Sequence, residues 1–315
     1  MVRVLLFGEE SAGLQAARLV ADSGATLVGI GTTLMHRDRV TPLAALAAQL
    51  NVPAWSPAQI RDPAFAAIVH ELDAHLLLNV HSLVLLPAEV LRAPTLGAFN
   101  LHPGPLPRYA GLSCPSWAIL HGESTYGVTV HRMVPEVDAG NIVYAADVPV
   151  TPRMTGLALS MACIRAGLPL VRRLLEAART APAELIGRPQ APHDRRVFPR
   201  RPAGGCRLEW SLSAAEIDRL VRAADYAPFT SPWGAPQTAL GDATIGVLKA
   251  EATTIRSAGA PGTVGESEGD AVLVSASDYS VRVQRVLHAG AARPAASVLH
   301  PGTLLGESTL RRSNV

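Results

Sequence analysis

Between residues 100 and 111 the chain reads Asn100-Leu-His102-Pro-Gly-Pro-Leu-Pro-Arg-Tyr-Ala-Gly111. Pro103, Pro105 and Pro107 each fix φ and each lack a backbone donor, so neither a helix nor a central strand continues through them. Upstream, Leu76, Leu77, Leu78 and Val80 form an apolar run, and Gly97–Leu101 reads as a short strand ending near Asn100. Residues two apart on an extended segment point to one side. Asn100 and His102 therefore bring an amide and an imidazole together where a strand enters a stiff loop, a usual place for a site in an α/β fold.

The rest of the chain sets the frame for that loop. Its 315 residues make one large domain or two smaller ones, and 48% apolar residues are enough for substantial cores. The net charge is +2 and Lys249 is the single lysine, so no broad field favours nucleic acid or a membrane surface. Cys114, Cys163 and Cys206 lie far apart and form no CxxC pair, which fits a reduced, cytoplasmic setting. The first residues lack the apolar core and cleavage site of a signal peptide, and no apolar run is long enough for a bilayer span.

In chain order, Val2–Phe7 reads as a buried strand, followed by an Ala/Leu-rich helix to Asp22 and a second strand, Thr26–Gly31. Strand–helix–strand opens a parallel sheet. Gly8 and Gly13 do not complete GxGxxG and read as a tight turn. Pro63–Leu72 is expected as a helix capped by Asp62, with Pro63 at its first position. A third buried strand covers His75–Val80, and Tyr126–Met133 and Asn141–Val150 are two more, joined through Val137-Asp138-Ala-Gly140. Thr155–Arg179 is a long helical stretch that Pro169 is expected to kink or divide. Composition then changes: residues 186–206 are Pro-, Gly- and Arg-rich and read as a solvated linker. Beyond it, Ser213-Ala-Ala-Glu216 is a capping box opening an amphipathic helix. Short β-patterned runs after that suggest a small barrel-like domain.

The Asn100–Gly111 stretch, together with Gly127-Val-Thr-Val-His-Arg-Met133 and Val137-Asp138-Ala-Gly140, resembles the formyltransferase family that uses 10-formyltetrahydrofolate. The resemblance spans both parts of the chain, with Leu208-Glu-Trp210 and Pro261-Gly262-Thr-Val264 carrying it in the second. It implies an α/β fold: a Rossmann-like, mostly parallel sheet with helices on both faces, in a catalytic domain over residues 1–185. After the linker it implies a smaller β-rich, barrel-like domain over 207–315. It also implies Asn100, His102 and Asp138 as catalytic residues. Leu86, Pro87, Glu89, Val137 and Gly140 border the folate under the same resemblance. Pro105, Leu106, Arg108, Tyr109, Gly111 and Ser113 form a loop between formyl donor and acceptor. The co-substrate is 10-formyltetrahydrofolate, and no metal is expected.

The residue types suit that chemistry. Formyl transfer from a folate nitrogen to an amine passes through a tetrahedral oxyanion. Asn100 donates without titrating, and His102 shuttles protons near neutral pH. Asp138 orients the ring and, as an opposite charge, is expected to raise the pKa of His102. His121 and His131 read as structural or surface groups, with lining of the acceptor side the alternative for His131; Trp117 reads as a core anchor, and Cys114 as a packed residue. The stretch Thr32–Pro42 is short and carries only Arg37 and Arg39, where methionyl-tRNA formyltransferases have a longer, Lys-rich insertion. The resemblance therefore favours a small or carrier-bound amine, an amino acid or amino sugar, in natural-product assembly. Methionyl-tRNA is the alternative acceptor, and a formyl-folate hydrolase or a non-catalytic folate-binding module are further alternatives. No nucleic-acid or membrane partner is expected.

Overall fold

The computed structural model describes residues 1–36 and 38–306. Arg37, within the Thr32–Pro42 stretch, and residues 307–315 of the expected 207–315 domain lie outside the described residues. Two compact units interleave along the chain. Met1–Gly111, Thr125–Pro149 and Met161–Val197 make the first; Leu112–Ser124, Val150–Ser160 and the chain from Phe198 onward make the second.

Seven strands build the sheet of the first unit: β1 (Arg3–Gly8), β2 (Thr26–Gly31), β3 (Ala54–Trp55), β4 (Leu76–Val80), β5 (Gly97–His102), β6 (Thr125–Arg132) and β7 (Ile142–Pro149). Their order is β7-β6-β5-β4-β1-β2-β3. The five from β5 to β3 pair in parallel, while β6 and β7 are antiparallel additions at the β5 edge. The helices needed here are α1 (Glu10–Asp22), α2 (Pro42–Gln49), α3 (Phe65–Glu71), α4 (Ala88–Arg92), α5 (Cys114–His121), α6 (Gly156–Thr180) and α7 (Ala214–Ala224). The strands are apolar on both faces because both are covered. Leu5, Phe7, Leu77 and Ala98 share one core with Phe65 and Val69 of α3 and Val90 and Leu91 of α4. Val4, Leu6, Leu76 and Leu78 alternate to the opposite face and are fully buried. There α1 buries Ala12, Ala16, Ala17 and Val20. A Cβ on Gly167 of α6 would come within 2.6 Å of the Leu101 side chain, so helix and sheet approach closely at that point. Gly8 and Gly13 form the tight strand-to-helix turn, each filling the space where the other's Cβ would stand.

Two helices depart from the sequence reading. The third begins at Phe65, two residues beyond Pro63: the Asp62 carboxylate caps the Ala64 N–H (2.9 Å) as expected, but Phe65 and Ala66 donate to the Asp62 and Pro63 carbonyls three residues back, a tighter separate turn. Pro169 does not divide α6, which runs from Gly156 to Thr180. Its apolar stripe continues on both sides of the proline, through Cys163 and Ile164 to Val171 and Leu174. Burial of that stripe outweighs the single missing hydrogen bond.

In the second unit α7 starts at the expected capping box, with Ser213 and Glu216 exchanging bonds. Its sheet comprises β8 (Gln237–Leu240), β9 (Ala243–Arg256), β10 (Val264–Glu268), β11 (Ala271–Ser275), β12 (Tyr279–His288) and β13 (Ala291–Pro294). The order is β8-β9-β12-β11-β10, all antiparallel, with β13 on β12. Leu304 bridges Thr263 beside β10, and Leu305 bridges Leu240 of β8. The segment after β13 thus reaches both edges of the sheet, which makes it barrel-like. Among the described residues no helix is long and apolar enough to cross a membrane.

Candidate active site

The site forms where β4 and β5 end and β6 returns beside them. Register places Asn79 next to Asn100, Asn100 opposite His131, and His102 opposite Thr129. All five side chains share one sheet face. Asp138 arrives from the turn between β6 and β7, in left-handed backbone geometry (φ 52°).

Asp138 is the hub. One oxygen, Oδ2, accepts the Gly111 N–H at 2.8 Å and lies 3.5 Å from His102 Nδ1. The other, Oδ1, lies 3.3 Å from His131 Nε2 and accepts from Asn100 Nδ2 at 3.5 Å. Asn79 donates to Asn100 Oδ1 (3.0 Å) and to the Ser82 carbonyl (3.1 Å). Asn100 Nδ2 is thereby turned towards Asp138 and lies 3.1 Å from His131 Nε2. His131 Nδ1 meets the Arg132 carbonyl at 2.7 Å and so carries a hydrogen. His102 Nε2 meets the Tyr109 carbonyl at 2.6 Å and so carries a hydrogen. Both nitrogens of His102 thus face acceptors, an arrangement that neutral imidazole satisfies on one side only.

Burial is the largest influence on His102 and lowers its pKa; Asp138 acts the other way and does not reverse it. Asp138 does pull it upward, as expected, but burial outweighs that pull. The ring is almost wholly out of water, and desolvation of the imidazolium wins. For Asp138 burial again acts first, upward. His102, His131 and the Gly111 N–H together overcome it and hold the carboxyl below the ordinary carboxylate range. At neutral pH the pair is an ionised carboxylate beside a neutral imidazole. His81, next in chain to the Asn79–Ser82 contact, is pushed down to about 4 by burial and by His102.

The stiff loop is fastened to this cluster. Thr129 Oγ1 donates to the Gly104 carbonyl (2.8 Å) and accepts from the Leu106 N–H (3.2 Å). Tyr126 donates its hydroxyl to the Pro103 carbonyl at 3.1 Å. A Cβ on Gly104 would stand 2.6 Å from the Tyr109 oxygen and 2.7 Å from His102 Nε2, so only glycine fits beneath their contact. Leu106 and Ala110 are buried with Ile142, and Tyr109 is buried too. Arg108 is exposed and Pro105 half-buried.

The other expected positions are more dispersed. Leu86 belongs to the buried core with Val84 and Val90. Pro87 precedes α4, and Glu89 points outward to Arg92 (3.8 Å). On that segment Leu83 and Leu85 are the exposed apolar side chains. Val137 is exposed beside Asp138. Gly140 is buried where a Cβ would collide with the Arg132 carbonyl. Ser113 precedes α5 in the second unit, in left-handed geometry and without a side-chain capping bond. Trp117, in the same unit, stacks on Phe198 (5.4 Å between rings) and meets Trp233 edge-on. Burial raises the Cys163 thiol to about 12 and Cys206 to about 11, which makes both poor nucleophiles.

Sequence reasoning missed Asn79, His131, Gln190 and Arg195. His131 and Asn79 occupy ordinary strand positions; only cross-strand register reveals them. Gln190 donates to the carbonyls of Asp138 (2.8 Å) and Gly140 (2.7 Å). Arg195 donates to those of Asp138 (3.2 Å) and Val137 (2.6 Å).

Comparison with known proteins fits this geometry. Residues 15–166 match the formyl transferase family model, and residues 203–300 match formyl transferase, C-terminal domain. A methionyl-tRNA formyltransferase of Pseudomonas syringae pv. syringae is 32% identical over 246 residues, 78% of this chain and 75% of that protein. The N-formyltransferase from Helicobacter canadensis, solved with folinic acid and dTDP-3-aminofucose, superposes with a TM-score of 0.66 at 14% identity. The match covers 90% of this chain and 99% of that one. The sugar 3N-formyltransferase WlaRD superposes with a TM-score of 0.67 at 14% identity, over 90% and 97% of the two chains. With a family match on each part of the sequence and a relative this similar over most of its length, the chain belongs to the formyl transferase family and is a formyltransferase.

Proposed function

We propose that the enzyme moves the formyl group of 10-formyltetrahydrofolate to the primary amine of a small or carrier-bound acceptor, an amino acid or amino sugar, in natural-product biosynthesis. The observation that carries the chemistry is the Asp138 carboxylate held between His102 and Asn100. In the proposed reaction the amine nitrogen attacks the formyl carbon and a tetrahedral oxyanion forms. Asn100 Nδ2 turns from its resting partners to that oxygen. His102, neutral at rest, takes the proton shed by the amine. Asp138 stabilises the imidazolium so formed. The bond from carbon to the folate nitrogen then breaks, and His102 returns the proton to that nitrogen.

The exposed Leu83 and Leu85, beside the Asn79–Ser82 contact, are apolar surface suited to the flat face of a pterin. Folate-containing structures among the neighbours support the donor. They include the Helicobacter canadensis enzyme and HypX from Aquifex aeolicus in complex with tetrahydrofolic acid (TM-score 0.60, 19% identity). A small acceptor is supported by the sugar N-formyltransferases in that set. It is also supported by the short 32–42 stretch, where Met35–His36 and Arg39–Val40 form a two-stranded ladder. The second reading is methionyl-tRNA, favoured by the Pseudomonas syringae relative.

The test incubates purified enzyme with 10-formyltetrahydrofolate and a panel of nucleotide-linked amino sugars, amino acids, carrier-bound aminoacyl groups and charged initiator tRNA. Formylation of a small amine is expected. Formylation of tRNA alone, with affinity falling steeply with salt, selects the second reading. Donor hydrolysis without any formylated amine defeats both.

A further inference from the structure

We propose that the segment 188–196, read from composition as linker, is a positioning strap that fixes the Asp138 turn against the His102 loop, with Gln190 and Arg195 as its positioning residues. The inference rests on the proposed role of Asp138. It goes beyond it by assigning the geometry of the pair to residues outside the cluster.

The strap is anchored on both sides by backbone. Arg188 exchanges two bonds with Ile142 at the start of β7 (2.9 and 2.8 Å). Arg196 accepts from the Ala110 N–H (2.9 Å) and donates to the Pro107 carbonyl (3.2 Å), both in the stiff loop. Between these anchors, Gln190 and Arg195 take up the carbonyls of Val137, Asp138 and Gly140. The orientation of the Gln190 amide is fixed, since the flipped form would set its oxygen against two carbonyl oxygens. Arg195 is mostly out of water despite its charge, and it also pairs with Glu136 at 3.3 Å.

The turn needs such holding. It lies outside the β6–β7 ladder, and Asp138 occupies a backbone region that side-chain-bearing residues resist, at a cost on the order of 1 kcal/mol. Releasing the three carbonyls frees the turn to leave that geometry and carry the carboxylate away from His102. A misplacement of about 1 Å in a reacting pair costs on the order of 10²-fold in rate.

The test reads the pair in the resting protein, with neither donor nor acceptor, so its outcome is independent of the proposed transfer. Isotope-labelled histidine is titrated by NMR, with the His102 signals identified by their loss in His102→Gln. The groups facing His102 are Asp138, His131 and His81. In the double variant Gln190→Ala/Arg195→Ala, the His102 midpoint is expected to fall by about half a unit or more as Asp138 draws away. Arg195→Lys, which retains a donor, is expected to stay near wild type. Gln190→Met, of similar size but with neither donor nor charge, serves if the double variant folds poorly. Turnover is expected to drop about 10- to 100-fold in kcat with little change in KM for the donor. A folded double variant in which His102 titrates as in wild type overturns the proposal.

Discussion

Asp138 carries more obligations than any other side chain in the cluster. One carboxylate closes the stiff loop through Gly111, faces two imidazoles and receives the Asn100 amide. Its neighbours keep it ionised, while burial keeps His102 neutral, so the resting pair is set to accept a proton rather than to donate one. His102→Ala and Asp138→Asn are each expected to lower turnover about 10²- to 10³-fold. Folate binding, followed by calorimetry, should stay within a few-fold of wild type. Near-normal turnover in either variant would remove that residue from the proposed mechanism. The neutral resting state also fixes the sign of the pH dependence. Activity should persist below the ordinary histidine range and fall only as His102 becomes protonated in the free enzyme, which the acid limb of kcat/KM reports.

Among the elements, the loop and α6 show opposite uses of proline. In the loop, three prolines stiffen a path that no ladder could support, and Thr129 ties it down with two bonds. In α6, Pro169 is exposed and sits inside a helix that burial on both sides keeps whole. Replacing it with alanine restores a backbone donor and removes the ring's clash with the preceding turn, against a small gain in unfolded-state entropy. Pro169→Ala is expected to stabilise the protein by about 1–2 kcal/mol, measured by denaturant unfolding. A loss of stability would mean that α6 is shaped around the proline. At this scale the expected strand and helix positions are mostly recovered, because apolar runs and capping residues act locally. The start of α3 and the continuity of α6 were not legible, because a competing turn in one case and buried contacts in the other decided them.

For the whole molecule, buried histidines dictate the response to acid. His81 is held at about 4 in the folded chain against an ordinary value of 6.5. The unfolded chain therefore binds a proton first, and stability declines as pH falls from 6.5 towards 4. The lowered His102 adds to the same slope. Asp138 acts at lower pH: its stabilisation is present above the ordinary carboxyl value and is lost only as pH falls through its own depressed one. Unfolding free energy measured across the 6.5 to 4 range should drop, and His81→Gln should flatten the curve. An equal slope in that variant would show that His81 is not responsible.

By itself the sequence determined the parallel sheet, the barrel-like second part, the stiff loop and the Asn100–His102 pair, since periodicity, prolines and a two-residue spacing are local facts. Motif resemblance added Asp138. Tertiary structure alone decided the rest. Strand register brought in Asn79 and His131, and burial outweighed the expected upward pull of Asp138 on His102. The path of residues 188–196 turned an Arg-rich linker into a scaffold for the Asp138 turn. Each of these depends on contacts between residues far apart in the chain and on the exclusion of water, and neither is written in any one stretch of sequence.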